Sequence, residues 1–228
     1  YVLNGGKNHA ENPDRYTSKD EICFQAASAE KGYLFDGWYL DEAYTQELKK
    51  IAKGSRGAVT LYAKWKPVTY EINYRPNAAV TRTMPATMLC LYNEEYTLSP
   101  NMYKVTGYTF TGWNTGADGS GTAYADKASV KNLADTEGAV ITLYAQWRAN
   151  AYTIVFDGNK AKTGSMEDLS SLLYGKSYVL SKNNYKRTGY RFGGWNTAKN
   201  GKGISYKDKA QIQNLSSQDG GVVTLYAQ

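Results

Sequence analysis

Apolar and polar residues alternate along several short stretches of this chain, and the same stretches recur. Val59, Leu61, Ala63 and Trp65 alternate with Thr60, Tyr62 and Lys64. A two-residue period of this kind predicts a strand with one buried face. Nearly the same spelling returns at Ile141 to Trp147 and at Val223 to Gln228, so that Leu61, Leu143 and Leu225 follow one another at intervals of 82 residues. A second pattern, Gly-Tyr-x-Phe-x-Gly-Trp, occurs at residues 32–38, 107–113 and 189–195. A third opens the later copies, at Tyr70 to Tyr74 and Tyr152 to Phe156. Repetition at a fixed period outranks every other sequence signal for the fold. It divides the chain into three modules, residues 1–67, 68–150 and 151–228.

Each module is read as strands joined by turns. The opening strand runs into Asn4-Gly5-Gly6 in the first copy and Asp157-Gly158-Asn159 in the third, residue types that suit tight turns. The middle strand runs into the Gly-rich segments 118–121 and 200–203. Apolar runs at residues 88–92 and 169–173 are a fourth strand candidate. One short helix is predicted before the middle strand, with Ser99 as N-cap, Pro100 as the first helical residue and Gly107 just past its end. The first copy is seven residues shorter between its two tryptophans. All five tryptophans occupy the two repeated sites, so Trp38, Trp65, Trp113, Trp147 and Trp195, with Leu61, Leu143 and Leu225, are the expected core. A module this small needs large aromatic side chains to bury enough area. Glycines ahead of Trp113 and Trp195 suggest close approach of a neighbouring backbone. A Trp used as a sugar-stacking platform is the alternative.

Composition agrees with this picture. The 228 residues include 21 Tyr and 22 Gly but only 5 Pro, a mixture that favours strands and turns. No apolar run is long enough to span a membrane as a helix, and no signal-peptide pattern opens the sequence. Tyr1 aligns with Tyr74 and Phe156, inside a strand, and Gln228 stops one residue short of a third terminal Trp. Both ends are therefore expected to fall within a longer array. Cys23 and Cys90 sit at different places in different copies, so they make no repeating disulfide framework. Two buried small hydrophobes or a bridge between copies are the readings left open.

The Gly-Tyr-x-Phe-x-Gly-Trp and Thr-Leu-Tyr-Ala-x-Trp motifs, in that order and three times over, resemble the Listeria–Bacteroides repeats, also called internalin-type B repeats. Copies two and three resemble the longer subtype, and copy one the shorter. The resemblance implies a β-rich α+β class, with three tandem small β-grasp-like modules arranged as an extended string. It implies parallel pairing of the first and last strands of a module. It also implies an extracellular location on a bacterial cell surface or wall. Stalk or spacer is the expected role, with an adhesive contribution alongside it.

Chemistry of the usual catalytic kinds is not signalled. His9 is the only histidine and has no ligand-spaced companion. No paired His/Cys metal motif, phosphate loop or nucleophile elbow is present. No cofactor is expected, and the chain is read as not an enzyme. Asn114, Gly116, Asp118 and Gly119 fall like part of a calcium loop, but Ala125 stands where the closing Glu belongs. Charge is uneven: the whole chain carries +6, and residues 152–228 hold all of that excess. Lys182, Lys186, Arg187, Arg191, Lys199, Lys202, Lys207 and Lys209 are thus candidates for binding a polyanion, against the alternative of a solvated surface. The expected partners are neighbouring repeats and a host-surface or cell-wall glycan or protein. Nucleic acid is not expected, because no recognition motif accompanies the charge.

Overall fold

The computed structural model describes residues 1–228. The first module contains β1 (Ile22–Cys23), β2 (Tyr33–Tyr39), β3 (Lys50–Ile51) and β4 (Tyr62–Pro67). The second contains β5 (Thr69–Arg75), β6 (Thr87–Leu91), β7 (Glu95–Thr97), β8 (Tyr108–Asn114), β9 (Ala123–Tyr124), β10 (Ser129–Lys131) and β11 (Ala139–Ala149). The third contains β12 (Ala151–Asp157), β13 (Leu169–Leu173), β14 (Ser177–Val179), β15 (Trp195–Asn196), β16 (Ser205–Tyr206), β17 (Gln211–Gln213) and β18 (Gly221–Ala227).

Spatially the chain forms two compact units, and their boundary passes through the second module. One unit holds residues 1–75, 85–100 and 127–143; the other holds residues 76–84, 101–126 and 144–228. In the first unit β2 pairs antiparallel with β4, β1 with β3, β5 with β6, and β7 with β10. In the second, the C-terminal half of β11 pairs antiparallel with β8, which pairs with β9.

The third module, wholly in the second unit, shows the complete arrangement. Its five-stranded sheet has the order β13-β12-β18-β15-β16. At its centre β12 and β18 run parallel, from Tyr152 beside Gly221 to Asp157 beside Tyr226. A separate ribbon, β14 with β17, completes the module. Tyr152, Ile154, Phe156, Leu172, Leu180, Trp195, Ile212 and Leu225 form one buried cluster. Tyr152, Ile154 and Phe156 alternate along one face of β12, so the period of two converts directly into burial. The first module has a smaller core of Ala27, Trp38, Leu61 and Ala63, and its first strand is reduced to one parallel bridge, Val2 with Tyr62.

Trp195 is fully buried, and Phe156, Tyr185 and Phe192 ring it at centroid distances of 4.8, 6.2 and 5.0 Å. Gly194 precedes it at φ +131, and a Cβ there would lie 2.7 Å from the carbonyl oxygen of Tyr206. Only glycine satisfies both the dihedral and the clearance. Gly112, ahead of the buried Trp113, repeats this at φ +145 and 2.8 Å from the Tyr124 carbonyl oxygen. Trp65 and Trp147 differ from the other three tryptophans. They are only half-buried and cover an edge of the core instead of filling its centre.

The α+β class expected from the resemblance does not hold: the chain has no helix and is all-β. The segment from Ser99 to Gly107 is irregular, and its donors are taken by side chains. Ser99 N donates to the Tyr74 hydroxyl at 2.9 Å, Asn101 N to Asp126 Oδ1 at 2.8 Å, and Tyr103 N to Asn101 Oδ1 at 3.0 Å. The third module repeats the last two bonds at Asn183, with Asp208 and Tyr185. Side-chain acceptors of this kind compete with the helical ladder. A helix of about two turns has too little cooperativity to resist them. The cysteines are also corrected. They do not bridge, and only Cys90 is buried while Cys23 is exposed.

Removing the Trp195 ring by Trp195→Ala is expected to cost about 3–5 kcal/mol of stability in the third module. Urea unfolding of the full chain measures it, and a loss below about 1 kcal/mol would contradict the burial described above.

Candidate functional site

Repeated hydrogen-bond networks lie at the two places where one module passes into the next. At the first, Val68 N donates to the Gly32 carbonyl at 2.9 Å, and Tyr92 N donates to the Val68 carbonyl at 2.9 Å. The Tyr92 ring rests on Gly32, where a Cβ would come within 2.4 Å of ring carbons. It meets Tyr33 edge-on at 5.6 Å. Glu137 then receives the next residue: Thr69 N donates to Oε2 at 2.8 Å, and Thr69 Oγ1 to Oε1 at 2.7 Å. Lys31 pairs with Asp135 at 2.9 Å beside it.

The second joint repeats this pattern with other side chains. Asn150 N donates to the Gly107 carbonyl and Tyr174 N to the Asn150 carbonyl, both at 2.9 Å. Tyr174 lies on Gly107, where a Cβ would come within 2.2 Å of its ring, and meets Tyr108 edge-on at 5.9 Å. Asp219 stands where Glu137 stands in the first joint. It accepts Ala151 N at 3.0 Å and holds Arg148 through two bonds, of 3.3 and 2.8 Å. The buried Asn150 is satisfied as well: its Nδ2 donates to the Ser217 carbonyl at 2.8 Å and its Oδ1 accepts from Thr109 Oγ1 at 2.6 Å.

Why glycine stands at residues 32 and 107 is now clear. Both are buried with φ near +80, and the tyrosine face occupies the space a side chain would need. The joint therefore excludes water on its apolar side and pairs every backbone group at the crossing. Electrostatics favour it too. The two Thr69 bonds lower the Glu137 carboxyl from its ordinary value. The Arg148 guanidinium, and after it the Ala151 N–H, hold the Asp219 carboxyl down to about 2.

The sequence-predicted basic residues are only partly brought together. Lys186, Arg187, Arg191 and Lys199 line one open groove of about 1110 Å³ in the third module, joined by Lys160. Lys182, Lys202, Lys207 and Lys209 are exposed outside that lining. The Arg187 guanidinium lies 3.9 Å over the Tyr190 ring. His9 is exposed, and its Nδ1 accepts the Glu11 N–H. The calcium-like loop is a self-satisfied turn: Asn114 Oδ1 accepts from Gly116 N at 2.8 Å, and Asp118 Oδ1 from Ser120 N at 3.0 Å. No three His, Cys, Asp or Glu side chains gather into a metal-binding cluster.

Comparison with known proteins agrees with the threefold pattern. The family model of the Listeria-Bacteroides repeat domain matches residues 1–64, 70–146 and 152–228. The chain belongs to the Listeria–Bacteroides repeat family. Among curated relatives, a protein of Evansella cellulosilytica described as a Gly-rich membrane protein is 38% identical over 124 residues, 54% of this chain and 14% of the relative. A second Evansella cellulosilytica protein, described as a membrane protein, is 32% identical over 66% of this chain and 22% of its own length. Internalin H of Listeria monocytogenes serovar 1/2a is 38% identical over 54% of this chain and 19% of its own length. This chain thus spans about a fifth or less of each of these relatives. No solved structure matches it.

Sequence reasoning missed the joints. Their signal was present, since Tyr92 and Tyr174, like Glu137 and Asp219, are 82 residues apart. What the sequence does not show is that each tyrosine meets a glycine of the preceding module.

Asp219 gives the second joint a pH dependence. Its folded pKa lies below its ordinary value, so its contribution is complete above pH about 4 and is lost as pH falls to about 2. The protection of the Ala151 amide, its exchange rate relative to the intrinsic rate at the same pH, is expected to fall over that interval, and Asp219→Asn to remove the acid-dependent step. An amide whose protection is flat across it would contradict the assignment.

Proposed function

We propose that this repeat region is a non-catalytic spacer of a bacterial surface protein, whose modules are coupled in pairs by tyrosine-on-glycine joints. One observation carries the reading: two joints of different sequence reproduce the same hydrogen bonds, ring packing and carboxylate clamp. A flexible tether would need none of these, since a few unstructured residues connect domains equally well. Relatives described as membrane proteins and an internalin support a location outside the cell.

Coupling is measurable. In nitrogen-15 relaxation of the full chain, the amides on the two sides of each joint are expected to report a common tumbling time. Replacing both Tyr92 and Tyr174 by Ala is expected to separate the modules into faster, unequal values while each stays folded. Independent tumbling of the unaltered chain would sink the spacer reading.

A second reading, adhesion to an anionic host glycan or wall polymer, is favoured by the groove of the third module. Lys160, Lys186 and Lys199 line it, and none of them forms an ion pair there. Clustered unpaired cations attract polyanions, with an affinity that salt screens. Retention on a heparin column that falls steeply with salt, and falls further on replacing these three lysines by Gln, is the expected result. Retention unchanged by the replacements would remove this reading.

A further inference from the structure

Tension applied along a tandem array enters each module through its first strand and leaves through its last. In the third module those strands are β12 and β18, which lie side by side and parallel for six residue pairs. The chain enters at the Tyr152–Gly221 end of this ladder and leaves at the Asp157–Tyr226 end. Pulling the two ends apart therefore drags the strands past each other along their length. The rungs cross between the strands, so all of them are loaded at once. Strands pulled apart from one shared end behave differently, because their rungs break in turn.

Position in the sheet strengthens the ladder. Neither strand is at an edge: β13 flanks β12, and β15 flanks β18. Tyr152, Ile154, Phe156 and Leu225 are buried against one face of the pair. Hydrogen bonds shielded in this way are stronger than exposed ones, and a slip of one residue would put the buried set out of register with the core. The carboxylate of the joint adds a rung where the load arrives. Gly220 N donates to the Ala151 carbonyl at 2.8 Å, and Ala151 N donates to Asp219 Oδ1 at 3.0 Å. Ala151 is thus tied through both backbone groups to the residues that lead into β18. The first joint has the same pair of bonds. Gly138 N donates to the Thr69 carbonyl at 2.8 Å, and Thr69 N to Glu137 Oε2 at 2.8 Å.

We propose that the third module is a tension-bearing element, a shear clamp whose resistance to pulling lies in the β12–β18 ladder, with Asp219 as its entry rung. Glu137 has the same place in the first joint. The proposal rests on the spacer reading and adds a mechanical function to it: the spacer transmits force without lengthening. It can fail alone, because the relaxation measurement detects coupling between modules in the absence of load.

Single-molecule force spectroscopy of the full chain, pulled in two directions, is the test. In the first geometry, handles at the two termini load the ladder in shear. In the second, one handle moves to Lys162→azidophenylalanine, an exposed position just past the end of β12. Tension between that residue and the C-terminus opens the ladder from its Asp157–Tyr226 end. A Gly/Ser insert of about ten residues between the exposed Glu167 and Asp168 marks the third module by lengthening its event by about 35 Å. Forced unfolding reads the unfolding rate, not the equilibrium stability. At matched force the marked event is expected to be at least about tenfold slower in the first geometry than in the second. Asp219→Ala should speed the first about tenfold and leave the second unchanged, since opening from the far end reaches that rung last. Equal rates in the two geometries overturn the proposal. So does an Asp219→Ala effect of equal size in both, which would make the carboxylate a general stabiliser with no share in the load.

Discussion

The parallel ladder between the strand that opens a module and the strand that closes it is the constraint on which the rest depends. In the third module it runs for six residue pairs, from Tyr152 beside Gly221 to Asp157 beside Tyr226. At roughly 3.3 Å per residue the chain enters at one end of the ladder and leaves about 20 Å away at the other. A parallel pair cannot be closed by a hairpin. The intervening residues must therefore travel back across the sheet, and they do so as antiparallel strands on both flanks of the central pair. The core residues Ile154, Phe156 and Leu225 follow from that ladder, because they alternate on its buried face.

The same constraint makes the joint. The closing strand of the second module, β11, does not stop at the edge of its sheet. It runs eleven residues to Ala149, and β12 begins at Ala151. With one residue between strands, the orientation of the next module is decided by what Asn150 touches. It touches Gly107, Tyr174, Thr109 and Ser217. The first joint reaches the same backbone pattern with Val68, a buried apolar residue. Polar and apolar solutions at one position show that the backbone bonds and the tyrosine define the joint, while the central side chain only has to be satisfied locally.

How much of this could be read beforehand differs by feature, for physical reasons. The repeat, the strands and the glycine ahead of each central tryptophan were legible, because period-two burial and the dihedral demand of Gly112 and Gly194 are local properties. The helix before Gly107 was not. Ser99 and Pro100 are sound N-terminal signals by themselves, but the groups that defeat them, Tyr74 and Asp126, come from about twenty-five residues away on either side. The partial exposure of Trp65 and Trp147 was hidden for a similar reason. Their alternation with Leu61 and Leu143 points them at the core face, yet they are only half-buried. Among the eight basic candidates, four line one groove because the turn at Lys199 and the segment 186–191 flank the same strand edge. The other four share only their charge.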